Sequence, residues 1–295
     1  MKGTITTDGK YAVIIVDAMN VCHRYFNSMK FLSTKSGHGT GVIYGTIRML
    51  LKFKREYGRS RIVFAWDVPR LKRKEVYKEY KANRAKAGQD FWKQVATLKE
   101  LLSKLNIRQY YSEGNEADDV IAKLAKRHRD KKTLIISNDS DMYQLIGRNT
   151  SVLSRTKENG KSVYQVVDLI KLAEKTGYSP KQYLYWKIVR GDKTDNVPAA
   201  IKNIPEEVLH KMVKALSRFS DIFELKSSDA KVSRWIKKVH EHKEELIRNY
   251  RLVSLRRRKK LKMRRILRDK DKDGAYEMIE RLEMFSLLKE IGKLV

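Results

Sequence analysis

Three short apolar runs in this chain each stop on an aspartate, and that repeat constrains the fold more than any other feature. They are Tyr11-Ala12-Val13-Ile14-Ile15-Val16-Asp17, Arg61-Ile62-Val63-Phe64-Ala65-Trp66-Asp67 and Thr133-Leu134-Ile135-Ile136-Ser137-Asn138-Asp139. Continuous runs of this length, rich in β-branched residues, read as strands covered on both faces, the habit of a parallel sheet. Ligands of open α/β sheets bind beyond the carboxyl ends of the strands, where each aspartate sits. Three carboxylates converging on one edge repel one another unless a cation holds them, so the pattern implies a metal site.

Further acids extend the set. Glu116-Ala117-Asp118-Asp119 opens an amphipathic run with Val120, Ile121, Leu124 and Ala125 on its apolar side. Acids at a helix N-terminus are favoured by the dipole and can point end-on at a ligand. Asp141 follows Asp139, and Asp192 and Asp195 lie in Gly191-Asp192-Lys193-Thr194-Asp195-Asn196. The nine candidates are Asp17, Asp67, Glu116, Asp118, Asp119, Asp139, Asp141, Asp192 and Asp195. One magnesium ion takes only one or two carboxylates, so this number suits two ions about 3.5–4 Å apart, with some acids acting through water. Taken singly, any of these acids could be a turn residue or a helix cap.

The acids stand in a strongly basic chain of 295 residues, with 65 Lys and Arg against 35 Asp and Glu and a formal net charge of +30. That excess implies a polyanionic partner. It is concentrated in two places. Residues 70–93 interleave Lys72, Lys74, Lys78, Lys81, Arg84 and Lys93 with Tyr77, Tyr80, Phe91 and Trp92, a mixture suited to single-stranded nucleic acid. Residues 251–270 hold eleven basic side chains and one acid, Asp269, a phosphate-contacting strand or loop, a localisation signal or a solvated face. No run approaches the roughly 18–20 apolar residues of a membrane span. The N-terminus has no apolar signal core, and the single cysteine, Cys22, excludes an internal disulfide and fits a reducing cytosol. A cytoplasmic location, no membrane partner and a monomeric state are the expectations.

Helices are expected over 20–31, 40–57, 72–105 (with a break at Gly88), 116–128, 180–189, 206–216, 228–255 and 276–294, and a strand over 107–111. Residues 151–155 and 161–166 flank the hairpin signal Glu158-Asn159-Gly160. The composition shifts near residue 180, with strands before it and helices and basic runs after. The expected fold is therefore α/β: a mostly parallel central sheet flanked by helices over 1–180, then a smaller helical, basic domain over 181–295.

Taken together, Asp17 with Asn20, Tyr80-Lys81-Ala82-Asn83-Arg84, Glu116-Ala117-Asp118-Asp119, Asn138-Asp139-Ser140-Asp141 with Gln144-Leu145, and Gly191 to Asn196 resemble the flap endonuclease and 5′-3′ exonuclease superfamily, whose core is PIN-like. The likeness spans residues 11 to about 200. The resemblance implies a nuclease using two Mg²⁺, with Mn²⁺ as a substitute. It implies that Asp17, Asp67, Glu116 and Asp118 favour one ion and Asp139, Asp141, Asp192 and Asp195 the other, with Asp119 serving either. It assigns Lys81 and Arg84 to the scissile phosphate, makes 72–95 a basic helical arch, and leaves Tyr80 either to stack on the unpaired terminal base or to pack. Arg24, Lys202 and the run Arg256, Arg257, Arg258, Lys259 and Lys260 are candidate phosphate contacts. Expected partners are branched or nicked duplex DNA and RNA–DNA hybrid, with a single-stranded-DNA-binding protein or sliding clamp as protein partners.

One segment departs from the superfamily. The helix-hairpin-helix turn expected after the Asp-Asn pair is normally glycine-rich and grips duplex phosphates, often with potassium, but Val197-Pro198-Ala199-Ala200-Ile201-Lys202-Asn203-Ile204-Pro205 has no glycine. The phage ribonuclease H branch shows a similar loss, and that branch removes RNA primers and adjoining DNA. Three rivals are weighed. A haloacid-dehalogenase-type phosphatase needs an acid two positions after the strand-ending one, where Met19 stands. A Toprim-type nicking domain would use Asp139 and Asp141 but leaves Asp17, Asp67 and Asp192 unexplained. A non-catalytic nucleic-acid-binding protein explains the charge but not the acids.

Overall fold

The computed structural model describes residues 11–68, 72–85, 87–158, 161–255 and 261–294. Its centre is β1 (Val13–Asp17), buried along its whole length. Side chains alternate across a strand, so Val13 and Ile15 face one apolar layer while Ile14 and Val16 face another. Covered on both faces, the strand can carry an unbroken apolar run. It pairs in parallel with β2 (Arg61–Ala65), Asp17 opposite Ala65, and with β4 (Thr133–Ile136), Val16 opposite Ile136. β3 (Arg108–Tyr111) extends the parallel set beyond β2, and β5 (Thr150–Glu158) beyond β4. Antiparallel strands close both edges: β6 (Lys161–Val167) on β5 and the two-residue β7 (Arg264–Arg265) on β3. The sheet order is β6-β5-β4-β1-β2-β3-β7.

One face carries α1 (Ala18–Ser28), α2 (Gly41–Tyr57) and α4 (Gln89–Lys104), together with α11 (Lys272–Arg281) and α12 (Phe285–Ile291). The other carries α5 (Ala117–Arg127), α7 (Pro180–Arg190), α8 (Glu206–Lys214), α9 (Ala230–Glu241) and α10 (Lys243–Val253). Two shorter helices complete the set, α3 (Arg73–Val76) and α6 (Leu169–Thr176).

Four expectations are corrected. The basic segment is not one helix: α3 ends at Val76, residues 78–83 turn, and α4 starts only after Gly88. Lys81 lies inside those turns at φ 57, a left-handed conformation that no α-helix contains. The helix expected over 228–255 divides at His242, and the last one divides after Arg281, with Glu283 at φ 55. The third aspartate-ended strand stops at Ile136, and Asp139 instead caps a 3₁₀ turn, Ser140–Leu145. The basic tract after 251, for which a strand or loop is among the expected forms, contains the two-residue strand β7, whose arginines are exposed. One apolar layer draws its residues from both sides of position 180, from Val13 to Leu255. The Asn159-Gly160 turn and the run from Arg256 to Lys260 lie outside the described residues.

Candidate active site

Asp17 both ends β1 and caps α1. Its carboxylate accepts from the Asn20 amide at 3.2 Å and from the Ser137 hydroxyl at 2.7 Å. That hydroxyl in turn accepts from the Asp139 amide at 3.1 Å, and Asp139 accepts from the Asp141 amide at 2.8 Å. Asn20 ties the same two strand ends together, accepting from the Asn138 amide at 3.1 Å. Asp67, two residues past β2, accepts from the Ala117 amide at 2.8 Å, which fixes the first turn of α5 and so Asp118. Parallel pairing thus brings Asp17, Asp67, Asp118 and Asp139 to one edge.

These four acids repel one another. Burial, reinforced by Asp67 and more weakly by Asp139, pushes Asp17 up to about 7. Burial and then Asp139 raise Asp118 well above the usual carboxylate range. Burial also raises Asp67 despite the Ala117 amide, although its side chain is open to solvent on one side. Among the described residues no lysine or arginine hydrogen-bonds to any of the four. An edge of this kind is accessible to a small ion yet poorly hydrated.

The other five acids are matched by cations of the chain itself. Arg73, 2% exposed, donates to Glu116 at 2.6 Å, to both Asp119 oxygens at 2.7 and 3.0 Å, and to the Leu252 carbonyl at 2.7 Å. Asp119 also accepts from the Glu116 amide at 3.2 Å, completing a capping box on α5. Asp119 is therefore the counter-ion of a structural arginine, not the shared metal ligand expected. Lys81 pairs with Glu116 and, at 3.5 Å, with Asp195; Arg84 pairs with Asp195 at 2.5 Å. Lys187 bridges Asp141 and Asp192, the latter at 2.6 Å. Although burial would raise it, Asp192 is held at about 2 by Lys187 and Thr194. Burial raises Asp141 to about 7 even beside Lys187.

Two nucleic-acid assignments are corrected. Tyr80 is 2% exposed, with its hydroxyl 2.8 Å from Asp195 and 3.0 Å from Glu116; its ring packs in the core and has no face to offer a base. Arg24 lies over the rings of Tyr25 and Tyr164, at 4.6 and 5.5 Å, and donates to the Met49 sulfur at 3.3 Å, so its guanidinium is engaged within the fold. Lys202 is exposed, next to Asn203. The glycine-free loop does turn, because Asn196 and Asn203 both take φ 56, and asparagine tolerates the left-handed region better than most residues. The Lys81 amide donates to the Asp195 carbonyl at 2.8 Å and the Asn196 side chain to the Glu79 carbonyl at 2.7 Å. The basic turn at 78–84 and the acidic loop at 192–196 therefore form one docked unit. Ser137 and Lys187 were not singled out from sequence, and Arg73, read there as one cation of the basic segment, is instead buried; a basic residue in a helix or a serine after a strand carries no distinctive spacing.

Replacing Arg73 with alanine is expected to cost about 3–5 kcal/mol, the usual penalty for stranding buried charge, because Glu116 and Asp119 would lose their shared partner. Urea unfolding of the purified variant measures it; a loss below about 1 kcal/mol would rank the pair with exposed ones.

A match to the profile described as 5′-3′ exonuclease, N-terminal resolvase-like domain, covers residues 12–177. The chain belongs to the 5′-3′ exonuclease family. Curated relatives agree: it is 32% identical over 290 residues to the thermostable DNA polymerase I of Thermus thermophilus, matching 97% of this chain and 34% of that protein. It is 30% identical over 290 residues to the 5′-3′ exonuclease of Aquifex aeolicus, covering 95% of both. The chain thus spans about a third of the length of its polymerase I relatives. Among solved structures, the bacteriophage T5 5′-exonuclease with bound zinc superposes with a TM-score of 0.65 at 18% identity, over 96% of this chain and 97% of that one. Flap endonuclease-1 of Methanococcus jannaschii gives 0.62 at 18%, over 99% and 94%. The expected fold class is that of these solved structures.

Proposed function

We propose that this chain is a Mg²⁺-dependent 5′-3′ nuclease that removes 5′ flaps, or RNA primers with adjoining DNA, during replication in the cytoplasm. The observation that carries this reading is the strand edge itself: Asp17, Asp67, Asp118 and Asp139 face one another, and among the described residues no lysine or arginine hydrogen-bonds to them. Their donor chemistry fits a hard divalent ion, which takes carboxylate oxygens and retains several waters. As they stand, no three such donors among the described residues are spaced to hold one ion, so binding requires side-chain adjustment. By this reading Asp17, Asp67, Glu116 and Asp118 would hold one ion, and Asp139, Asp141, Asp192 and Asp195 a second. Bound Mg²⁺ would supply an acidified water and neutralise charge on the phosphate, giving 5′-phosphate products.

The chain's own contribution is charge and orientation. Lys81 and Arg84 lie beside the acidic edge on a docked turn, where their donors can meet a phosphate oxygen as charge develops on it. Ser137 and Asn20 hold the strand ends in register. The excess of lysine and arginine would attract the duplex or hybrid through its backbone. Support for DNA as substrate includes a T5 flap endonuclease variant solved with DNA and metal ions, alike in fold at a TM-score of 0.62. The second reading is a catalytically weak binding protein of the same fold, favoured by the ion pairs that hold Asp141, Asp192 and Asp195. End-labelled 5′-flap, nicked and RNA-primed duplexes, each with and without Mg²⁺, decide between them. Metal-dependent shortening of the 5′ strand is expected, and its absence on all three would overturn the nuclease reading.

Metal binding should also depend on pH. A carboxylate whose folded pKa rises from 3.8 to about 7 keeps its proton until near neutrality, and an ion must displace it. Mn²⁺ affinity should therefore rise with pH up to about 7, by about tenfold per unit for one released proton. The same raised pKa favours the folded state only while the proton stays on. The metal-free protein should accordingly lose stability as pH climbs from about 4 to 7. Calorimetric titration and thermal melts across that window test both slopes; a flat affinity profile would contradict them.

A further inference from the structure

Lys187 joins, through its ammonium, two candidate ligands of the second ion that lie on different elements. It sits in the last turn of α7, with 6% of its side chain exposed, and donates to Asp141 after β4 and, at 2.6 Å, to Asp192 beyond the helix. The chain enforces this meeting. Gly191 ends α7 at φ +74, in the left-handed region, where a Cβ would strike the Val197 carbonyl at 2.4 Å. The return is closed by paired amides, Asp192 to the Val197 carbonyl and Val197 to the Asp192 carbonyl, both at 2.8 Å. Asp192 is thereby folded back toward the helix turn that carries Lys187. The Asp192 carboxylate is held further by the Thr194 amide and hydroxyl, at 2.8 and 2.6 Å. Among the described residues, Asp17, Asp67, Asp118 and Asp139 have no equivalent tethered ammonium.

We infer that Lys187 is a resident cation occupying the second metal position, so that the two ions bind in sequence and unequally. This rests on the metal-dependent reading above. An ammonium between two carboxylates satisfies them with hydrogen bonds but brings one positive charge where a divalent ion brings two. It therefore holds Asp141 and Asp192 together in the metal-free protein and must be displaced for an ion to bind there. The strand-edge position fills first because, among the described residues, only one of its four acids, Glu116, is held by chain cations, against three of four at the second position. The second fills only where the ammonium finds another partner, and a phosphate oxygen of bound nucleic acid is the anion the function brings to hand. Lys187 is thus a positioning residue that withholds the second ion until substrate arrives.

The test is Mn²⁺ titration of the whole chain without nucleic acid, reading free Mn²⁺ by electron paramagnetic resonance, for the wild type, Lys187→Met and Lys187→Arg. The wild type is expected to bind one ion tightly and a second at least tenfold more weakly. Lys187→Met should tighten the second site by tenfold or more, and Lys187→Arg should leave it weak. Unchanged or weakened second-site affinity in Lys187→Met overturns the inference alone, whereas no Mn²⁺ binding to any form overturns the nuclease reading with it. If Lys187→Met is unfolded without metal, the Mn²⁺ concentration that restores its circular dichroism reports the same affinity. A variant unfolded at every Mn²⁺ concentration overturns the inference, because a divalent ion would then be unable to replace the ammonium.

Discussion

Asp17→Asn and Asp139→Asn should each abolish strand cleavage while leaving nucleic-acid affinity close to that of the wild type. Asp17 is the most constrained of the strand-edge acids, fixed by the Asn20 amide and the Ser137 hydroxyl. An asparagine there keeps the shape of the side chain and removes the charge an ion needs. Metal-derived stabilisation of a phosphoryl-transfer transition state amounts to several kcal/mol, so the loss should reach about a thousandfold or more in turnover. Binding should survive because affinity for a polyanion comes mainly from phosphate contacts. Single-turnover cleavage of an end-labelled flap and fluorescence anisotropy on the same substrate separate the two effects. Near-normal turnover in either variant would remove that residue from the metal site.

Lys81→Ala and Arg84→Ala should lower kcat by about 10²–10³-fold, the range for deleting one preorganised charge donor, and change KM much less. Both cations are held in readiness by the candidate ligands themselves, Lys81 by Glu116 and Arg84 by Asp195. Burial works against the charged form of Lys81, and Glu116, Asp118 and Asp195 more than compensate, so its ammonium stays protonated through the physiological range. A donor that is charged and already in place acts most strongly where charge develops, and that selectivity is what a kcat effect reports. If either variant altered only KM, its side chain would be a plain binding group. Arg84, half-exposed at 49%, should show the smaller loss of the two.

Much of this was legible in the residues. Apolar runs ending in aspartate located three of the five parallel strands, and the acids after them mark one edge because parallel pairing aligns their ends. Glu116-Ala117-Asp118-Asp119 announced the start of a helix because acids are favoured at its N-terminal dipole. What could not be read was which acids remain free of the chain's own cations. Asp118 and Asp119 are neighbours in sequence, yet one faces the acidic edge and the other closes on Arg73, a difference set by helical phase and by a partner 46 residues away. The burial of Tyr80 was hidden for a related reason. Basic and aromatic residues in alternation look alike whether the rings meet a base or the core, and only the acids above Tyr80 determine which. The glycine-free loop misled in the opposite sense, since asparagine at 196 and 203 supplies the backbone conformation that glycine was expected to provide. A two-residue strand such as β7 leaves no periodicity to detect.

The seating of the last helices has a consequence for how the protein comes into being. Every candidate ligand lies within the first 195 residues, yet the face of the sheet opposite α5 is covered by α11 and α12 as well as by α2 and α4, and β7 seals the edge beside β3. During synthesis, which proceeds from the N-terminus, the acidic edge emerges long before the segments that cover the sheet behind it. An apolar layer lacking Met278, Ile279, Leu287 and Ile291 cannot bury its inner surface. A nascent chain that already carries all nine acids leaves that layer uncovered until residues 272–291 emerge and dock.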